Sequence, residues 1–290
     1  MRDEDFRKKD ERTPLRVRNY PLSGGGNLPL LEYPLFAEAG AVKHGFSTRA
    51  GGVSGGEFAS LNFSFSRGDK EAHVRENYRR IAEVFGVCAD DIVCSGQTHT
   101  TNVVRVDKSF GGVGSECRRP CKDVDGLITD ERGLLLATFY ADCVPLFFVD
   151  PVHSAIGLAH SGWRGTAGRM GQAALSAMER EFGTRAEDVL AAIGPSICGD
   201  CYEVGEEVAE QFLQAFPEAS GKILRPRKGG KYLLDLWEAN RHILLSAGVK
   251  EEHLAVTNIC TCCNHMLLFS HRASSGRRGN LGAFLMLRKD

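Results

Sequence analysis

Two histidines and one cysteine stand out for the chemistry they could share. They are His99 in Gln97-Thr98-His99, Cys143 in Ala141-Asp142-Cys143, and His160 in His160-Ser161-Gly162-Trp163-Arg164-Gly165. Two imidazoles and a thiolate suit a borderline-soft ion such as zinc, and a catalytic zinc site uses three protein ligands with one position open. Cys143 and His160 each lie at or beside an apolar run that reads as a strand. If those strands are neighbours, their ends bring both ligands to one side of a sheet. Taken singly, a buried cysteine or histidine is ordinary core material. These three differ because each sits at an abrupt change from apolar to small and polar residues, where a sheet ends and a site can form. The pattern is that of a metal-dependent enzyme.

The segment from Ala155 to Thr166 reads as a strand, a glycine-containing turn and the start of a helix. Gly162 and Gly165 permit close backbone approach, and Thr166 can cap the helix. Free N–H groups there, with the planar guanidinium of Arg164, favour an anion such as phosphate. Arg49, ahead of Gly51-Gly52, repeats this arrangement more weakly. Ser270-His271-Arg272 and Gly276-Arg277-Arg278-Gly279 add basic capacity, or form a solvated loop. Asp142 reads either as the carboxylate that orients a ligating histidine or as a turn cap. Two competing readings stand beside the metalloenzyme. In one, Cys143 is a nucleophile with His160 as its base, giving a thiol hydrolase or amidase. In the other, the metal only stabilises an interaction module.

Absent motifs narrow the field. There is no Gly-x-x-x-x-Gly-Lys-Ser/Thr loop for nucleotide phosphates. The paired His-x-Glu and Pro-Cys-x-x-Cys of zinc nucleobase deaminases are missing. So are the His-x-His pairs that a multinuclear copper oxidase needs.

The chain has ten cysteines among 290 residues, too long a chain to need disulfide staples. Cys198-x-x-Cys201 and Cys260-x-x-Cys263 mimic a four-cysteine zinc site, but their separation exceeds the usual ribbon spacing. Packed free thiols near an active-site wall are the expectation there. Hydrophobic residues at 42% and charged residues at 25% are ordinary for a globular protein. A net charge of -1 gives no general attraction for nucleic acid or anionic membrane. No apolar run approaches the roughly 18 residues of a membrane span. The start, Met1-Arg2-Asp3-Glu4-Asp5, lacks the apolar core of a secretion signal, so a cytoplasmic location is expected.

The elements that must position these residues alternate along the chain. Residues 1–25 mix acids and bases without apolar periodicity and read as a flexible tail, leaving 26–290 as one domain. Strands are expected at Val42–Ser47, Asp91–Ser95, Val103–Val106, Leu134–Phe139, Val144–Val149, Ala155–Ala159, Val189–Ile193, Ala255–Asn258, Met266–Phe269 and Ala283–Leu287. Helices are expected at Glu71–Phe85, Arg169–Phe182, Val204–Phe216 and Leu236–Ala247, three of them ending at glycine. Connections near Arg132-Gly133 and Asp150-Pro151 are too short for crossover helices, which predicts antiparallel hairpins at both. The class is α+β with mixed sheets.

Several motifs then occur in order: Phe46-Ser47-Thr48-Arg49-x-Gly51-Gly52-Val53-Ser54, Ser60-Leu61-Asn62, Gln97-x-His99, Asp123-x-Asp125-Gly126, Ala141-Asp142-Cys143-x-Pro145, His160 to Gly165, Gly194-Pro195-Ser196-Ile197 and Cys201-Tyr202-Glu203-Val204. From about residue 30 onward the chain closely resembles the YfiH/YlmD family, often labelled polyphenol oxidase or laccase domain. That resemblance implies a four-layer α/β/β/α fold with mixed sheets flanked by helices, and zinc on His99, Cys143 and His160. It implies phosphorolysis of adenosine, inosine, guanosine and S-methyl-5′-thioadenosine, with adenosine deamination. Cys143, Arg49, Arg164 and Asp142 are then the expected catalytic set, and Arg49, Asn62 and Arg164 the expected substrate contacts. Partners would be nucleosides and phosphate, the chain a monomer or homodimer. Family members have also been assigned a copper-dependent laccase activity and a role in cell-wall precursor editing. The chain departs from the family pattern at Thr100, often glycine, and at Ile197-Cys198-Gly199-Asp200-Cys201, which replaces Pro-Cys-Cys.

Overall fold

Side-chain alternation in the long apolar strands sorts the chain into layers. The computed structural model describes residues 1–114 and 121–289. One sheet has seven strands, in the order β1 (Arg16–Pro21), β2 (Asn27–Glu32), β3 (Val42–Ser47), β16 (Leu281–Leu287), β8 (Leu135–Tyr140), β4 (Ile92–Gly96) and β6 (Cys121–Lys122). The second has six, in the order β15 (Leu254–Val256), β11 (Leu190–Ile193), β9 (Val144–Asp150), β10 (Ala155–Ser161), β7 (Gly126–Thr129) and β5 (Val103–Arg105). A small third sheet orders β12 (Glu203–Gly205), β14 (Lys231–Leu234) and β13 (Leu224–Arg227).

In β16, Phe284 and Met286 pack with Val74, Tyr78, Ile81 and Phe85 of the helix Glu71–Phe85. Its other face, Ala283, Leu285 and Leu287, joins Phe147 and Val149 of β9 and Ile156 and Leu158 of β10 between the two sheets. The opposite face of β9, with Val144, Leu146 and Phe148, packs on the helices Met170–Phe182 and Leu236–Ser246. The order is helix, sheet, sheet, helix: the α+β class and four α/β/β/α layers. Strands covered on both faces read as unbroken apolar runs, and β9, β10 and β16 are buried at every position. Each fully buried Leu or Phe contributes roughly 1.5–3 kcal/mol.

The helix Glu71–Phe85 has the expected bounds and stops where Gly86, at φ 73°, turns its N–H back to Ala82 and Glu83. Three expectations fail. Around Asp150-Pro151 the hairpin forms, β9 pairing antiparallel with β10. Around Arg132-Gly133 it does not, because β7 joins the six-stranded sheet and β8 the seven-stranded one. A short connection can cross between stacked sheets as readily as it can turn within one. Met266–Phe269 is turn and not strand: Leu267 and Leu268 N–H bend back to the Asn264 carbonyl. Residues 1–25 depart from the expected tail. Phe6 and Leu15 are buried, β1 pairs along its length with β2, and Gly24-Gly25-Gly26 is their hairpin turn. Two of the charges that suggested a tail, Arg16 and Arg18, lie on this edge strand, a common guard against edge pairing. No helix among the described residues is long and apolar enough to cross a membrane.

Candidate active site

Antiparallel pairing of β9 and β10 sets His160 opposite Pro145, two residues beyond Cys143. The loop after β4 brings in His99. The ligand atoms of His99, Cys143 and His160 all lie within 4.8 Å of one another. His160 is buried, Cys143 half-buried and His99 exposed, so the group opens to solvent on the His99 side.

One buried carboxylate builds most of this geometry. Asp125 accepts the backbone N–H groups of Thr98, His99 and Thr100 at 3.0, 3.1 and 2.9 Å, which holds His99 at φ 67°. The same side chain lies 2.7 Å from His160 Nδ1, turning Nε2 of that ring toward the cysteine side. This is the carboxylate–histidine pairing typical of metal ligands. Burial pushes the Asp125 carboxyl up, but the His160 bond and the backbone donors overcome it and bring it to about 2. Burial likewise pushes the Cys143 thiol up; the neighbouring His160 charge and bonds from both histidines pull it down to about 6. A thiolate at neutral pH is the form that binds metal. Gly162 closes the back of the group: a Cβ there would stand 2.9 Å from His99 Cδ2 and 3.1 Å from Cys143 Sγ. Two nitrogens and one sulfur, oriented by a carboxylate and open on one side, fit a zinc ion with a free position.

The three residues edge a cavity of about 410 Å³, inside the usual range for small-molecule sites. Phe65 and Phe139 give it aromatic surface, and Arg67 and Arg278 give it charge. Among the described residues neither arginine pairs with a carboxylate, and Arg278 Nε is buried without a hydrogen-bond partner. Burial, with the Arg67 charge nearby, pushes Arg278 down to about 10. Two neighbouring cations with an unused buried donor make a seat for an anion.

Several expected site residues lie elsewhere. Arg49 Nε and Nη1 donate to the Ala59 and His265 carbonyls at 2.9 Å each, and its plane stacks on Phe269, so it latches loops outside this cavity. Arg164 is exposed, stacked 4.2 Å from the Trp163 ring within a helix of only five residues, Trp163–Ala167, and lines a different surface groove. Asp142 accepts Thr261 Oγ1–H at 2.6 Å and Arg272 N–H at 2.7 Å; the orienting role expected of it belongs to Asp125. Asn62 is wholly buried and does not line the cavity. Its Oδ1 accepts the N–H groups of Ser64 and Asn280, which do line it. Gln97 exchanges two bonds with the Phe139 backbone, pinning the His99 loop to β8. Arg67 was missed because it follows Phe63-Ser64-Phe65-Ser66, an alternation of aromatic and small polar residues that carries no anion-binding signature.

Together the fold and site define a four-layer α+β protein with a His-Cys-His centre at one end of its sheet sandwich. Residues 43–288 match the family described as multi-copper polyphenol oxidoreductase laccase, and the chain belongs to that family, the YfiH/YlmD group. It is 41% identical over 253 residues to purine nucleoside phosphorylase YlmD of Geobacillus stearothermophilus, covering 87% of this chain and 92% of that one. It is 35% identical to adenosine deaminase RL5 of an unknown prokaryotic organism, covering 83% and 94%. The crystal structure of Bacillus licheniformis hypothetical protein YfiH superposes with a TM-score of 0.85 at 34% identity, covering 89% and 96%.

Proposed function

We propose that the protein is a zinc-dependent purine nucleoside phosphorylase that also deaminates adenosine. Its substrates would be adenosine, inosine, guanosine and S-methyl-5′-thioadenosine, each giving free base and a ribose 1-phosphate. The observation that carries this reading is the pair Arg67 and Arg278 in one cavity with His99, Cys143 and His160. Phosphorolysis needs phosphate held beneath C1′, a fixed sugar, and a proton or hydrogen bond for the departing purine. Arg67 and Arg278 supply planar, charge-assisted donors for phosphate, including the unused Arg278 Nε. Phe65 and Phe139 offer faces for a purine. Asp125 keeps His160 in one tautomer and His99 in one loop conformation. Bound zinc would supply positive charge at the cavity edge and lower the pKa of water for deamination. The names of the relatives support the reaction class. A cytoplasmic setting, with no nucleic acid or membrane partner, fits these small substrates.

Purified protein, incubated with the four nucleosides with and without phosphate, tests this by chromatography of the released bases. Base release that requires phosphate, together with inosine formation from adenosine without it, is the expected pattern. Base release independent of phosphate would make the enzyme a nucleoside hydrolase. A second reading, Cys143 as nucleophile and His160 as base, draws on the depressed thiol. Rapid alkylation of Cys143 in zinc-replete protein, with amide cleavage, would favour it; zinc-protected Cys143 would not.

A further inference from the structure

We propose that Cys198, Cys201, Cys260 and Cys263 form a second metal site, structural and closed, that holds a zinc ion through four thiolates. Their distance in sequence made this site look remote, and the topology removes that objection. Strands β11 and β15 pair in parallel, Ile193 beside Val256, and the pairing continues as a bridge between Ser196 and Cys260. Loops leaving two parallel neighbours run side by side. The two Cys-x-x-Cys pairs therefore meet, Cys198 with Cys260 and Cys201 with Cys263, each pair separated by 62 residues.

All four sulfurs lie within 4.8 Å of one another, and Cys201 Sγ is 3.5 Å from Cys263 Sγ. Tetrahedral zinc with Zn–S bonds of about 2.3 Å places its sulfurs about 3.8 Å apart. The loops also carry the donors a thiolate cluster requires. Cys260 Sγ accepts the backbone N–H groups of Cys198 at 3.2 Å and Cys263 at 3.4 Å. Tight turns set this up: Cys201 and Tyr202 N–H both return to the Cys198 carbonyl. Four thiolates around a divalent ion leave two negative charges, and basic groups stand nearby. Lys9 reaches Asp200 at 2.7 Å, and Arg225 bonds the same carboxylate, which lies between Cys198 and Cys201. Cys198 and Cys260 are buried and Cys201 and Cys263 half-buried; none of the four is exposed as His99 is.

Binding exchanges protons for metal. The four thiols release their protons to solvent, each sulfur donates a lone pair to the ion, and no electron is gained or lost. The fold around the cluster gives the ion a role. The segment after β15 holds the N-terminus, through Lys9 N–H to the Asn258 carbonyl and Arg7 N–H to Asn264. Thr261, between two of the cysteines, bonds Asp142, the residue before Cys143. The cluster thus clamps one wall of the active site to the chain's first residues.

Elemental analysis of protein expressed with zinc tests the site. Wild type should carry two equivalents, and Cys143→Ala, Cys198→Ser and Cys263→Ser one each. Cys262→Ser, whose sulfur lies outside the set of four, should keep two. Wild-type zinc content in Cys198→Ser and Cys263→Ser would overturn the proposal. If Cys143→Ala keeps its metal while the other two lose theirs, this site stands and the His-Cys-His assignment fails. Should the serine variants not fold, cobalt-loaded Cys143→Ala gives a second measure. Intense sulfur-to-cobalt charge-transfer bands of a tetrathiolate support the site; their absence, or a Cys201–Cys263 disulfide in fresh protein, contradicts it.

Discussion

His160 Nδ1 lies 2.7 Å from Asp125 Oδ1, and that carboxylate also fixes the loop carrying His99. Two of three proposed metal ligands are thus positioned by one side chain. In Asp125→Asn the new NH2 would face donors whichever way the amide turned. Thr98 and Thr100 crowd one oxygen, His99 and His160 the other. Metal binding should weaken about 10- to 100-fold, read by competition with a chromophoric chelator. Unchanged affinity would remove Asp125 from its positioning role.

Gly162→Ala separates packing at the site from packing in the core. Gly162 has φ -69°, which alanine adopts freely, yet its Cβ would meet His99 and Cys143. The variant should melt within a few degrees of wild type while losing metal and at least about tenfold in activity. Full metal content with full activity would show that the centre does not need this close approach.

Arg278→Ala should lose about 10- to 150-fold in kcat/KM for phosphate, the equivalent of roughly 1.5–3 kcal/mol of charge-assisted bonding. Deamination of adenosine, which uses water, should suffer less. Arg164→Ala, on the outer surface, should change the phosphate dependence little. A large loss in the Arg164 variant with none in the Arg278 variant would return the anion site to the turn after β10.

Much of this site was legible in the sequence, because ligating types at strand ends are visible without coordinates. Cys143 and His160 flank apolar runs, and the short connection expected to make β9 and β10 a hairpin does so. Asp125 was present as a motif without a role, since its partners lie 25 to 35 residues away in sequence. Arg49 and Arg164 carry the look of anion binders, glycine and arginine after a strand, but that local pattern does not say which way the side chain exits. The edge strand β1 was hidden by its charges, and the Arg132-Gly133 crossing by the fact that short loops serve both hairpins and stacked sheets. The four cysteines converge only because β11 and β15 are parallel, a pairing that neither strand's own sequence encodes.

Acid sensitivity should trace in part to His44. Burial, then the Arg288 charge, pushes this imidazole from 6.5 down to about 3, and its neutral Nε2 accepts the Tyr33 N–H at 2.7 Å. Between those values the unfolded chain binds a proton that the folded chain does not. Stability therefore falls as pH drops from 6.5 toward 3, and this loss is absent above 6.5. His44→Gln, which keeps an acceptor without the basicity, should show a flatter decline in melting temperature between about pH 7 and 5. Parallel curves for the two proteins would place the acid-sensitive group elsewhere.

The most direct test of phosphorolysis at this centre is phosphorus NMR of zinc-loaded protein with inosine and inorganic phosphate. The phosphate signal should convert to ribose 1-phosphate in step with hypoxanthine release, and Cys143→Ala, folded but without metal at His99 and His160, should do neither. Hypoxanthine appearing without ribose 1-phosphate, or equal turnover by Cys143→Ala, would contradict it.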